Sequence, residues 1–164
     1  MNTQDFCFIL KQNSHLLREG CFGLEKENVR VNQDGTLALT PHPAVFGDKG
    51  KHPYITTDFS ESQVEMITPP LPSVGEALGF METLHDVVTE NIGDELLWPQ
   101  SLPPVLKENQ EIPIAHYSGE FKDKEYYRQK LAGTYGKAAY FGNTLQFLFF
   151  GKTDGRSAKK RCLR

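Results

Sequence analysis

The sequence predicts an α+β domain, a small antiparallel sheet with helices packed on its outer face. Three observations carry that expectation. Short strand-like runs at 22–31, 36–39, 54–59 and 63–68 are divided by turn-forming residues. One long apolar stripe at helical spacing spans Ser73–Ile92. A proline-rich stretch, Trp98–Pro113, sets off a second helical segment at Lys122–Tyr135.

The elements follow in order. Residues 3–18 read as a first helix, with Phe6, Ile9, Leu10, Leu16 and Leu17 at compatible spacing. Phe22–Val31 reads as a strand. Asn32–Gly35 is a turn with glycine where positive φ is required, and Thr36–Leu39 returns as the partner strand. Thr40–Pro53 is a loop. Tyr54–Phe59 and Gln63–Thr68 are strand pieces around a polar Ser60–Ser62 break, and Pro69, Pro70 and Pro72 end that segment. Ser73 and Glu76 form a capping box. Val74, Ala77, Leu78, Met81, Leu84, Val88 and Ile92 then share one helix face, and Gly93 is placed to stop the helix. The last helix, Lys122–Tyr135, is stopped at Gly136.

Length and composition narrow the function classes. At 164 residues the chain makes one domain, and its net charge of −3 argues against a nucleic-acid or membrane surface. It holds no apolar run long enough to span a bilayer, and its N-terminus lacks the basic region and cleavage site of a signal peptide. Cys7, Cys21 and Cys162 have no metal spacing and read as free thiols of a reducing cytoplasm, the first two as packing residues. His85 reads as a packed histidine and His42 and His52 as structural ones. No histidine pair has zinc spacing, and neither glycine-rich nucleotide fingerprint occurs.

Two runs place carboxylates where a strand would carry hydrophobes. In GLEKENVRV, Gly23–Val31, Glu25 and Glu27 share a face with Val29 and Val31. In TTDFSESQVEMITP, Thr56–Pro69, Glu65 shares a face with Gln63 and Ile67, with Asp58 just upstream. Such a sheet can cup a hard divalent cation, which takes oxygen ligands. A solvated sheet face with ordinary surface charge fits each run as well, and for one run alone is the simpler reading.

These runs, with DGTLALTPHP at Asp34–Pro43, LWPQSLPP at Leu97–Pro104 and YYRQKLAGTYGK at Tyr126–Lys137, resemble the amino-terminal part of bacterial glutamate–cysteine ligases. Among these the chain is most similar to the ligase half of bifunctional glutathione synthases. The resemblance covers roughly residues 20–137, with the blocks in the family's order. It implies an incomplete start of a glutamine-synthetase-like ligase fold. The implied reaction is ATP- and Mg²⁺-dependent joining of L-glutamate, through its γ-carboxyl, to L-cysteine, with Mn²⁺ as an alternative ion. By the same resemblance Glu25, Asp58 and Glu65 match metal-binding carboxylates, and Glu27 a further acidic position in that cluster. Phe59 and Tyr127 match the walls of a pocket for the cysteine side chain, and Arg128 an adjacent basic site residue. Read without the family, Tyr127 is equally a packing residue, and Arg128 a surface residue within reach of Glu125.

From Ala138 the chain departs from the family, which continues after Tyr-Gly-Lys with a segment resembling QLISGIHYNFSF. Permitted codons for Ala138–Phe150, read one nucleotide forward, spell that segment residue for residue. The expected division is therefore residues 1–137 as the N-terminal part of the ligase domain and residues 138–164 as an out-of-frame tail. On that reading neither LQFLFF, Leu145–Phe150, nor the basic RSAKKRCLR end was selected for function, and the uncharged LQFLFF run is an aggregation liability. The rival expectations are a non-catalytic remnant of a broken gene and a small metal-binding module.

Overall fold

The computed structural model describes residues 2–12, 14, 20–107, 110–136 and 144–151. Its elements are α1 (Thr3–Gln12), β1 (Gly20–Val31), β2 (Ile55–Thr56), β3 (Gln63–Ile67), α2 (Val74–Asn91), β4 (Leu96–Leu97), α3 (Lys122–Tyr135) and β5 (Thr144–Gly151). The expected end of the first helix, including Leu16 and Leu17, lies outside the described residues, as do Cys162 and the basic end of the tail.

The strand β1 is the spine of an antiparallel sheet ordered β2-β3-β1-β4, with β5 also pairing β1. One edge of β1 holds β3, from Glu25 opposite Ile67 to Val29 opposite Gln63. Its other edge holds β5 along residues 20–27 and β4 at Arg30 and Val31. The NQDG turn forms as expected, with Gly35 at φ 77° and the Gly35 amide donating to the Asn32 carbonyl (2.9 Å). The returning segment makes only an isolated bridge, Leu37 to Val31, rather than a strand over Thr36–Leu39. Its Thr36 bridges instead to Val105, so the ladder is not continued.

Alternation along β1 divides the chain between two layers. Leu24, with Val64 and Met66 of β3 and Ile55 of β2, faces Ala77, Met81, Leu84, Val88 and Ile92 in the main core. Ser73 accepts a hydrogen bond from the Glu76 amide (3.1 Å), so α2 begins at the predicted cap. Val74 and Leu78, predicted on the apolar face, are exposed. The stripe that packs is the narrower Ala77, Met81, Leu84, Val88 set, at i, i+4, i+7 and i+11. On the opposite face Val29, Val31, Leu37 and Ile112 form a second cluster, walled by Trp98 and Leu106.

The helix α1 buries none of its residues. Cys7 is therefore exposed and not the packing residue the sequence suggested, whereas Cys21 is half-buried on β1. Phe121, at the entry to α3, packs where a Cβ on Gly50 would stand, 2.6 Å from that position. Glycine at residue 50 thus lets the Thr40–Pro53 loop and the start of α3 close together.

Candidate functional site

The acidic face is built by register. Glu27 stands directly opposite Glu65, and Thr56 flanks Glu65 on the other side. Directly opposed residues of an antiparallel pair share a face, so Glu25, Glu27 and Glu65 project together. Asp58 joins them from the turn after β2. Burial, then the charges of Asp58, Glu27 and Glu25, push the Glu65 carboxyl up to about 7, against a smaller opposing effect of Arg128. The four predicted carboxylates are thus one electrostatic cluster. Among the described residues, however, no three Asp, Glu, His or Cys side chains stand in a metal-coordinating arrangement. The donor chemistry fits a hard dication, all oxygen and net negative, while the side chains are not gathered into a coordination shell.

A cavity of about 290 Å³ opens beside this cluster, lined by Asp58, Phe59, Lys124, Tyr127, Arg128 and Leu131. Phe59 is buried and forms its floor, while Tyr127 on α3 is 62% exposed, a wall open to solvent rather than a packing residue. Arg128 reaches across to Asp58, its Nη2 3.5 Å from Oδ1, and does not pair with Glu125. Glu125 instead holds the His116 ring (2.8 Å) and the Tyr117 amide (3.1 Å). The structure therefore brings Asp58, Phe59, Tyr127 and Arg128 around one cavity, with Glu25, Glu27 and Glu65 on the adjoining sheet face.

No motif in the sequence announces the support beneath them. Residues 112–117 run back along the Phe59–Glu61 turn, with the Ala115 amide donating to the Phe59 carbonyl (2.9 Å) and Ser60 bridged to Ile114. This buries Tyr117, whose hydroxyl donates to the Thr57 carbonyl (2.5 Å). Three cations surround its ring: Lys49 at 5.3 Å, Lys124 at 5.5 Å and Arg128 at 5.3 Å from the centroid. Glu61 accepts from Lys49 Nζ, the His116 amide (2.7 Å) and the His42 amide (3.2 Å). Burial alone would raise the Glu61 carboxyl, but its bonds from Lys49 and His116 outweigh it and hold it below its ordinary value.

His42 is structural, as its sequence position suggested. Its Nδ1 lies 2.9 Å from Thr57 Oγ1, and its buried Nε2 has no hydrogen-bond partner. Burial, then Lys49 and Arg30, lower it from 6.5 to about 4. The unfolded chain binds the extra proton between those values, so the stability from neutral His42 is whole above about pH 6.5 and is lost as pH falls through 4. Discounted for screening, the effect is on the order of 1–2 kcal/mol. Urea midpoints of the wild type and His42→Gln should therefore converge, or cross, between pH 7.5 and 4.5. A constant gap would show that His42 carries its charge in the fold. His52 is also structural, its Nδ1 accepting from the Tyr54 and Ile55 amides (3.2 and 2.7 Å), and His85 is half-buried on α2.

The antiparallel sheet with helices behind it is the fold of solved ligases of glutathione synthesis. A bifunctional glutathione synthetase from Pasteurella multocida superposes with a TM-score of 0.79 at 37% identity, over 90% of this chain and 19% of that one. A glutamate–cysteine ligase from Francisella tularensis, solved with AMP, gives 0.76 at 30% identity, over 81% of this chain and 27% of that one. The sequence matches the glutamate–cysteine ligase family across residues 7–149, and the chain belongs to that family. It is 60% identical over 130 residues to the glutathione biosynthesis bifunctional protein of Desulfotalea psychrophila, 79% of this chain but 17% of that relative's length. The family match runs beyond Lys137 into β5, as far as Phe149.

Proposed function

We propose that this chain carries the metal-binding carboxylates and the cysteine pocket of an ATP-dependent ligase that forms γ-glutamylcysteine in the cytoplasm. The observation that carries this reading is the convergence of Glu25, Glu27, Asp58 and Glu65 beside the Phe59–Tyr127–Arg128 cavity. In the reaction the γ-carboxylate of glutamate takes the terminal phosphoryl group of ATP, releasing ADP. The cysteine amine then displaces phosphate and gives up a proton. A bound Mg²⁺, or Mn²⁺, would neutralise phosphate charge during transfer. Glu25, Asp58 and Glu65 would hold the ion, with Glu27 setting the charge of the same face. Phe59 and Tyr127 wall an apolar slot suited to a soft thiol, and Arg128 fixes charge at its mouth. Among the described residues no helix is long and apolar enough to cross a membrane.

Residues 138–164 are, on this reading, translated out of frame. Permitted codons for Thr144 and Leu145 spell histidine in the shifted frame, and removal of one nucleotide near the Lys137 codon would put that histidine at residue 144. Thr144 pairs with Glu27, so the histidine would take a register position on the strand beside the acidic cluster.

The purified 164-residue chain should make no γ-glutamylcysteine from ATP, glutamate and cysteine, yet bind Mn²⁺. The gene lacking that one nucleotide should open a long reading frame whose product has the activity. A stop codon soon after the shifted motif would end the frame reading, and an Mn²⁺-blind chain would end the metal assignment.

A further inference from the structure

Lys124 is a site residue that neither motif nor spacing singled out. It lines the cavity with Asp58, Phe59, Tyr127, Arg128 and Leu131. Its Nζ lies 5.5 Å from the Tyr117 ring centroid and 5.4 Å from that of Phe121. Arg128, one helical turn on, lies over the same Tyr117 ring at 5.3 Å. The two cations are therefore held side by side at the cavity wall by a shared buried platform.

Their placement is costly without an anion. Like charges at i, i+4 on a helix repel. Lys124 also sits in the first turn of α3, where a cation opposes the helix dipole. Lys49, the third cation on the ring, is neutralised by Glu61. Arg128 has only the long 3.5 Å contact to Asp58, and Lys124 forms no ion pair among the described residues. A carboxylate bound between Lys124 and Arg128 would relieve both repulsions at once. Phe59, Tyr127 and Leu131, on the same cavity, offer apolar surface for a short side chain. That is the complement of a small amino acid's carboxylate and side chain.

We propose that Lys124 binds the carboxylate of the amino acid whose side chain enters the Phe59–Tyr127–Leu131 cavity, and so selects an α-amino acid over a plain amine. This rests on the cysteine-pocket reading above. The test uses the whole chain under reducing conditions, with ligand-observed NMR titrations of L-cysteine and of cysteamine, which lacks the carboxylate. The wild type should bind cysteine about tenfold more tightly than cysteamine, the scale of one charge-assisted hydrogen bond. Lys124→Gln should weaken cysteine to the level of cysteamine and leave cysteamine unchanged, and Lys124→Arg should keep the preference. Lys124 is exposed, so neither substitution disturbs packing, and matched circular-dichroism melts check this. Equal affinities in the wild type, no binding of cysteine, or an equal loss for both ligands in Lys124→Gln would overturn the proposal. Mn²⁺ binding, measured on the same samples, reports on the acidic face separately. Retained Mn²⁺ with no carboxylate preference removes the role of Lys124 alone, whereas lost Mn²⁺ with the preference intact removes the metal assignment alone.

Discussion

Glu65→Gln should abolish Mn²⁺ binding and, at pH 8, make the metal-free chain more stable than the wild type. The two effects have one cause. Glu65 is pressed between Glu27 across the ladder and Asp58 in the adjoining turn, and burial with these charges lifts its carboxyl to about 7. A raised carboxyl favours the proton in the folded state. The native chain therefore binds more protons than the unfolded chain between about 4.5 and 7, and stability falls as pH rises through that window. Above it the ionised Glu65 costs the fold on the order of 2 kcal/mol after allowance for solvent screening. Glutamine removes that cost and, with it, the charge a dication needs. Urea midpoints at pH 8 and pH 4.5, with Mn²⁺ titrations at pH 8, read both effects. In the frame-restored product the same variant should lose most ligase activity at saturating Mg²⁺. If glutamine instead destabilises the chain at pH 8, the carboxylates are not coupled as the register places them.

Arg30→Met should destabilise the chain by about 3–5 kcal/mol, the cost of stranding one partner of a buried ion pair. Arg30 is 1% exposed, on the same alternation as Leu24. Its Nη1 pairs with Glu95 (2.5 Å) and donates to Thr40 Oγ1 (2.6 Å). Its Nη2 donates to the carbonyls of Thr40 (2.8 Å), Pro41 (3.2 Å) and Glu61 (2.7 Å). One guanidinium thereby joins β1, the loop after the NQDG turn, the Ser60–Ser62 turn and the link between α2 and β4. Glu95→Gln should cost less, because the amide oxygen still accepts from Arg30 Nη1 and the guanidinium keeps its bonds to Thr40, Pro41 and Glu61. The Arg30–Glu95 double mutant should be less destabilised than the sum of the singles. A loss below about 1 kcal/mol for Arg30→Met would reduce the cluster to an ordinary surface pair.

Much of the scaffold was legible in local pattern. The capping box at Ser73, the glycine of the NQDG turn and the end of α3 at Gly136 depend on neighbours a few residues away. The alternation that puts Glu25 and Glu27 on one face of β1 is likewise a property of the chain itself. What alternation could not supply was the partner. A strand pattern gives the face of each residue but not the register, and only the register sets Glu27 against Glu65 and so lifts that carboxyl.

The narrowing of the α2 stripe has the same origin. Val74 and Leu78 have the right spacing, but the five-stranded sheet covers only part of that face. The bonds from the His116 amide to Glu61, from the Tyr117 hydroxyl to Thr57 and from Arg128 to Asp58 join residues 55 to 70 positions apart. No periodicity records such contacts, because they form only when residues 112–117 fold back along the Phe59–Glu61 turn. The sequence by itself determined the strands, the caps and the chemical kind of the site residues. The tertiary structure decided which charges meet, because Coulombic energy depends on separation and burial, both set by long-range packing.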